Sequence, residues 1–196
     1  MKEKKNMFFA AMSRMKYINR WALMRNTRQE NLCEHSYETA IIAHALCEIY
    51  VRRFGGAEDP GRAALLALYH DAPEIFTGDM PTPVKYAGGQ IREAYRSVED
   101  AAASRLLSYL PDDLRGDYEK LFKADGSERM KKIVKAADKL SALIKCIEEQ
   151  KAGNTEFRTA AAAQEKYLRA MGLPEVDCFM DEFLPAYRLS LDEQES

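Results

Sequence analysis

Apolar residues recur at helical spacing along almost the whole chain. They fall three or four residues apart, as they do on one face of an α-helix, and no run of β-branched residues alternates with polar ones. We therefore predict an all-α protein that forms a single domain over residues 1–196. The pattern predicts roughly eight helices, at about 7–17, 31–54, 59–72, 89–109, 112–122, 128–150, 156–171 and 175–187.

Several helix ends carry recognisable signals. Asn31 and Glu34 have the spacing of a capping box, in which each side chain binds the other residue's free backbone amide. Asp59 precedes a proline and is expected to cap the third helix. Pro73 is expected to end or kink that helix, because proline lacks an amide and crowds the preceding turn. We predict an irregular loop over Thr77–Val84, which contains two prolines and a glycine.

Composition narrows the class of protein. The 29 basic and 31 acidic residues nearly balance, which argues against binding of a nucleic-acid polymer. No apolar run reaches the roughly 18 residues that a membrane span needs. Arg14 and Lys16 interrupt the short apolar stretch near the start, so we expect no signal peptide and a cytoplasmic protein. The four cysteines show no CxxC spacing, which favours buried, reduced thiols.

Four polar residues are hard to explain as packing. His35 and His70 lie on apolar helix faces, Asp71 follows directly, and Asp138 borders the apolar face of a later helix. Two imidazoles and two carboxylates form a nitrogen and oxygen ligand set that suits Mn, Co, Fe, Ni or Zn. The pattern alone leaves a plainer alternative open, in which the histidines are core residues and Asp138 pairs with lysines on its own helix.

The order of these residues resembles a known family. His35, then the adjacent pair His70 and Asp71, then Asp138 is similar to the pattern of the HD-domain metal-dependent phosphohydrolases. Longer strings resemble the bacterial 5′-deoxynucleotidases of that superfamily, and they are INRWALMRNTRQENLCEHS, LALYHDAPEIFTGDMPTPVKY, VKAADKLSALIKCIEEQKAGNTEF and FLPAYRLSLDE. The resemblance implies an HD-type helical bundle, a homodimer, and one divalent ion (Co, Mn, Zn, Ni or Fe) held by these four residues.

The same resemblance assigns further roles. It makes Glu74 the general acid and base that orients or activates the attacking water. Arg20 would hold the phosphate, Trp21 would line the sugar and crowd a 2′-hydroxyl, and Asp79 would accept a hydrogen bond from the sugar hydroxyl. Without it, Glu74 would be a solvated helix end, Arg20 part of a solvated basic face, Trp21 a core anchor and Asp79 a turn former. Lys85 is interpreted as a surface lysine.

The implied reaction is metal-dependent hydrolysis of deoxyribonucleoside 5′-monophosphates to deoxynucleoside and phosphate, with selectivity against ribonucleotides. The sequence does not fix the base preference or the physiological metal. Two alternatives stay open. One is another HD-type reaction, such as triphosphate release from a deoxynucleoside triphosphate or cleavage of a phosphodiester, and the other is a silent module that binds nucleotides without turnover.

Overall fold

The fold is all helical, as the sequence predicts. A computed structural model describes residues 6–85 and 88–195, and in these ranges the only β-type pairing is an isolated bridge between Asn19 and Asn31. The α-helices are α1 (Phe8–Met12), α2 (Leu32–Phe54), α3 (Pro60–Tyr69), α4 (Glu74–Thr77), α5 (Thr82–Lys85), α6 (Gly89–Leu107), α7 (Asp112–Phe122), α8 (Glu128–Lys151), α9 (Arg158–Ala170), α10 (Pro174–Glu182) and α11 (Leu191–Gln194). Short 3₁₀ helices cover Ser13–Tyr17, Thr155–Phe157 and Leu184–Arg188.

The chain divides into two compact units. The first contains the described residues up to Leu23 and within Gln29–Ser36 and Tyr69–Asp125. The second contains Met24–Arg28, Tyr37–Leu68 and the residues from Gly126 onward. The single domain expected over residues 1–196 stays a prediction, and its first five residues, 86, 87 and 196 lie outside the described part of the chain.

The core of the first unit fixes the start of α2 and the turn that follows α3. Leu32, in the first turn of α2, and Ala72, in that turn, are both fully buried. They belong to one apolar cluster with Phe8, Ala11, Met15, Ile75, Leu106 and Leu110. The Phe8 ring meets Tyr118 edge-on, with centroids 4.9 Å apart, a favourable arrangement for aromatic pairs.

The second unit contains α8, whose buried residues fill most of its length. Three of them are charged, namely Asp138, Lys145 and Glu149. Lys145 donates to Glu149 at 2.5 Å, and the side chains of this pair are 5% and 1% exposed. Glu149 also accepts hydrogen bonds from the backbone amide of Thr27 (2.9 Å) and from the Asn154 side chain (2.8 Å). The carboxylate of Glu149 is therefore the anchor of the segment that contains Thr27.

The predicted helix ends are largely confirmed. The Asn31 side chain accepts from the amide of Glu34 (3.1 Å), and the Glu34 carboxylate accepts from the amide of Asn31 (3.1 Å). Asp59 accepts from the amide of Gly61 at 2.9 Å. α3 ends at Tyr69, four residues before Pro73.

The prediction of an irregular loop over Thr77–Val84 is wrong at both ends, since Thr77 is the last residue of α4. The amides of Val84 and Lys85 both donate to the Pro81 carbonyl, at 2.9 and 3.1 Å, and form the helical turn α5. Proline is compatible with this turn, because Pro83 lies in its first residues, where an amide has no helical acceptor.

None of the four cysteines forms a disulfide, but they are not all buried. Cys47 and Cys146 lie in the interior, Cys178 is partly exposed and Cys33 is exposed. The prediction of buried thiols is therefore correct for two of them and wrong for Cys33. Among the described residues, no helix combines the length and apolar character that crossing a bilayer requires.

Candidate metal centre and phosphate site

The first unit brings together three of the four predicted ligands. His35 lies in the first turn of α2, and its amide donates to the carbonyl of Asn31 at 3.1 Å. His70 and Asp71 occupy the tight turn between α3 and α4, which is closed by a hydrogen bond from the Glu74 amide to the Asp71 carbonyl (2.9 Å). The capping box and this turn therefore fix the backbone positions of His35, His70 and Asp71.

The three side chains converge on one point. The Oδ2 atom of Asp71 lies 3.5 Å from Nε2 of His35 and 3.1 Å from Nε2 of His70. The two imidazole centroids are 5.3 Å apart. Ligand atoms that share one tetrahedral or octahedral ion at about 2.1 Å lie about 3.0–3.4 Å from each other. The spacing and the donor types are thus compatible with one divalent cation.

Asp138, the fourth predicted ligand, belongs to the second unit. Its side chain on α8 is only 11% exposed, and its Oδ2 atom lies 2.7 Å from Nζ of Lys135 and 3.7 Å from Nζ of Lys139. The alternative from the sequence, in which Asp138 pairs with lysines on its own helix, is therefore observed in the structure. Its place in a metal site stays a prediction.

Glu74 is buried, which excludes the alternative of a solvated helix end. It is the first residue of α4 and is 6% exposed, and its Oε2 atom accepts no hydrogen bond within the described residues. Burial raises the pKa of its carboxyl group to about 9, and the negative charges of Asp71 and Asp79 add to this effect. Lys85 and Arg20 act in the opposite direction. Glu74 therefore holds a proton far more strongly than an ordinary glutamate.

Arg20 and Trp21 are held by a residue that the sequence did not single out. Oε2 of the buried Glu30 accepts from Nη1 of Arg20 and from Nε1 of Trp21, each at 2.8 Å. Arg20 is 9% exposed, so a solvated basic face is excluded. The amide of Trp21 donates to Oδ2 of Asp79 at 3.3 Å. The three predicted substrate-binding residues therefore lie together.

Lys85, interpreted from the sequence as a surface lysine, is only partly exposed. Its side chain is 30% exposed, its ammonium group donates to Glu99 at 2.9 Å, and it lies 4.7 Å from the centroid of the Tyr95 ring. Burial acts to lower the pKa of Lys85, but Glu99 outweighs it and the pKa is raised. The two residues are 14 positions apart and lie in different helices, α5 and α6. The helical periodicity of the sequence therefore could not predict this pair.

Known proteins match this chain over nearly its full length. The profile of a family described as 5′-deoxynucleotidase YfbR-like matches residues 7–187. A 5′-deoxynucleotidase of Klebsiella pneumoniae is 50% identical over 187 residues, which cover 95% of this chain and 94% of the relative. The 5′-deoxynucleotidase YfbR of Salmonella paratyphi B is 50% identical over 191 residues, covering 97% and 96%.

Solved structures agree on the fold. An HD-domain phosphohydrolase from Listeria innocua superposes with a TM-score of 0.81 at 25% identity, covering 97% of this chain and 92% of that one. The prediction of an HD-type helical bundle is therefore confirmed. With a family profile that spans residues 7–187 and relatives at 50% identity, the chain belongs to the YfbR-like 5′-deoxynucleotidase family.

Proposed function

We propose that this protein hydrolyses deoxyribonucleoside 5′-monophosphates to deoxynucleoside and inorganic phosphate, in a reaction that depends on one divalent metal ion. One observation carries the proposal: the Nε2 atoms of His35 and His70 lie 3.5 and 3.1 Å from Oδ2 of Asp71, in a chain that is 50% identical to named 5′-deoxynucleotidases. The buried Glu74 follows Asp71 by one turn.

His35, His70 and Asp71 would hold the ion, and we propose Asp138 as the fourth ligand. The order of the four residues, which is similar to that of the HD-domain family, supports this, and the ion would share the carboxylate with Lys135, which contacts it at 2.7 Å. The ion supplies Lewis acidity, which polarises a phosphoryl oxygen and makes water a stronger acid. The mixed nitrogen and oxygen set admits Co, Mn, Zn, Ni or Fe, so metal availability decides among them.

Glu74 would move the proton. In its ionised form it would accept a proton from the attacking water, and because its environment raises the pKa of the carboxyl group it would keep that proton until it passes to the leaving 5′-oxygen. A carboxyl group of ordinary acidity would be a poorer donor to the leaving oxygen at neutral pH. Positive charge brought near Glu74 lowers its pKa and favours the basic form, which the first of these two steps needs.

Arg20, Trp21 and Asp79 would bind the nucleotide. A guanidinium group offers paired donors to a phosphate, and it stabilises the negative charge on the phosphoryl oxygens. Asp79, which accepts from the Trp21 amide, would also accept from the sugar hydroxyl. The Trp21 ring would occupy the space that a 2′-hydroxyl needs, which favours deoxyribose over ribose.

The test is a screen of phosphate release after metal removal and reconstitution, with all deoxy- and ribonucleoside monophosphates as substrates. We expect phosphate from several deoxynucleotides, little from ribonucleotides, and none from the metal-free protein. Tripolyphosphate from a deoxynucleoside triphosphate, or turnover of a phosphodiester alone, would replace the proposal by another HD-type reaction. Nucleotide binding without any turnover would identify a silent module.

A homodimer and a cytoplasmic location are part of the proposal. Tyr37 and Ile41 lie one turn apart on α2 and are 63% and 51% exposed, which supports an apolar contact between two copies. Light scattering would detect the dimer, and Ile41→Lys would weaken it if this face pairs. Four cysteine thiols, none of them in a disulfide, support a reducing compartment, which cell fractionation would test.

A further inference from the structure

We propose that Glu30 is a positioning residue that fixes the Arg20 guanidinium and the Trp21 indole relative to each other, and thereby sets the discrimination between deoxyribose and ribose. This inference rests on the proposed function. It adds Glu30 to the proposed site, a residue that the sequence analysis did not single out.

One carboxylate oxygen holds both side chains. Oε2 of Glu30 accepts from Arg20 Nη1 and from Trp21 Nε1, each at 2.8 Å. The Glu30 side chain is 9% exposed, so water competes weakly for these contacts. A guanidinium group has five N–H donors, so a contact through Nη1 is compatible with paired contacts to a phosphate. Glu30 can therefore orient Arg20 while Arg20 binds its ligand.

The backbone strengthens the same connection. The Arg20 amide donates to the Glu30 carbonyl at 2.9 Å, and the Leu32 amide donates to the Ile18 carbonyl at 3.0 Å. These bonds flank the antiparallel bridge that Asn19 forms with Asn31. The two short segments are thus paired in register, and the carboxylate of Glu30 acts across this pairing.

Trp21 needs such support because of its own backbone. Its φ angle is 60°, in the left-handed region that residues other than glycine seldom adopt. Residues persist there when several contacts hold them in place. The Asp79 carboxylate binds the Trp21 amide at 3.3 Å, and Glu30 binds the far end of the indole at 2.8 Å. Trp21 is therefore held at its backbone and at its indole nitrogen, as a wall that must exclude one hydroxyl group would need to be.

Two substitutions separate positioning from charge. Glu30→Gln loses the charge but keeps the length of the side chain and an acceptor oxygen with two lone pairs, which can still receive both N–H groups. Glu30→Asp keeps the charge but withdraws the carboxylate by one methylene group, so it cannot reach both donors at 2.8 Å. The readout is kcat/KM for dAMP and for AMP, and the ratio of the two is the discrimination.

We expect Glu30→Gln to keep the discrimination within about twofold of the wild type. We expect Glu30→Asp to reduce it by about tenfold or more, since displacing a positioning group by roughly 1 Å costs up to about 100-fold. The opposite order, with Glu30→Gln impaired and Glu30→Asp normal, would show that charge matters and would overturn the proposal. Equal discrimination in both variants and the wild type would also overturn it.

Fluorescence gives a readout that needs no substrate. Trp21 is the only tryptophan in the chain, so acrylamide quenching and anisotropy report on this ring alone. Glu30→Asp should raise quenching and lower anisotropy, whereas Glu30→Gln should match the wild type. Ser127→Ala is the control for lost stability, because Ser127 caps α8 through the Met130 amide and should leave the signal and the discrimination unchanged. Unchanged fluorescence in Glu30→Asp would overturn the proposal.

The kinetics also distinguish this inference from the proposed function. If wild-type protein releases no phosphate from dAMP in any metal, the proposed function fails, whatever the fluorescence of the variants shows. If the wild type is active and selective and Glu30→Asp stays equally selective, the function stands and the role of Glu30 fails.

Discussion

Removing the buried carboxylate of Glu149 should destabilise the protein severely. In Glu149→Ala, the Lys145 ammonium group loses its partner while its side chain is 5% exposed. Leaving one member of a buried ion pair without the other costs about 3–5 kcal/mol. The amide of Thr27 and the side chain of Asn154 lose acceptors as well. Since a native domain is stable by about 5–15 kcal/mol, this loss is a large share of the total.

Urea unfolding followed by far-UV circular dichroism measures the effect. Glu148→Ala is the matched control, because Glu148 is the neighbouring glutamate on α8 and is exposed, and an exposed substitution changes stability by about 0.5 kcal/mol or less. A Glu149→Ala protein within about 1 kcal/mol of this control would refute the reasoning.

The dependence on pH adds a second check. Burial by itself would raise the pKa of Glu149, but hydrogen bonds from Lys145, Thr27 and Asn154 outweigh it and hold the pKa far below its usual range. A carboxyl group with a lowered folded-state pKa stabilises the fold above its unfolded pKa, about 4.3, and this contribution is lost as pH falls further. The stability gap between wild type and Glu149→Ala should therefore narrow below about pH 4, and a constant gap would contradict the assignment.

Other substitutions test the site directly. Glu74→Gln should bind metal and nucleotide normally but lower kcat by about 10²–10⁴-fold. A smaller decrease in stopped phosphate-release assays would show that Glu74 does not transfer the proton. His35→Ala should weaken Mn²⁺ or Co²⁺ binding in calorimetry by at least about tenfold, whereas His44→Ala, on the exposed side of the same helix, should bind as the wild type does. Trp21→Ala should raise AMP hydrolysis relative to dAMP hydrolysis, and an unchanged ratio would exclude the indole as the discriminating wall.

The sequence predicted what depends on local periodicity and on short signals. Helix α2, its capping box at Asn31 and Glu34, and the end of α3 before Pro73 all follow from neighbouring residues. The tight turn of α5 was missed, because two prolines were interpreted as breaking the helix although one of them lies where a helix tolerates it.

The sequence predicted the candidate site residues, but not the residues that hold them in position. The order of His35, His70 and Asp71 pointed to a shared ion through the family resemblance, and the structure places those atoms together. Glu30 lies in a polar stretch with no periodicity, and its importance depends on a pairing between two irregular segments. The left-handed backbone of Trp21 was equally hidden, since no residue preference predicts it.

The segment that Glu149 anchors has a consequence for protein engineering. Met24–Arg28 reads as a short polar connection of the kind that usually accepts added residues. Its carbonyl groups at Arg25 and Arg28 accept from the side chains of Asn154 and Lys145, and its amide at Thr27 donates to Glu149, so side chains of α8 and of the residues after it hold this backbone. An inserted tag or a grafted loop at this point would break several of these bonds at once, and permissive insertion sites should be sought elsewhere.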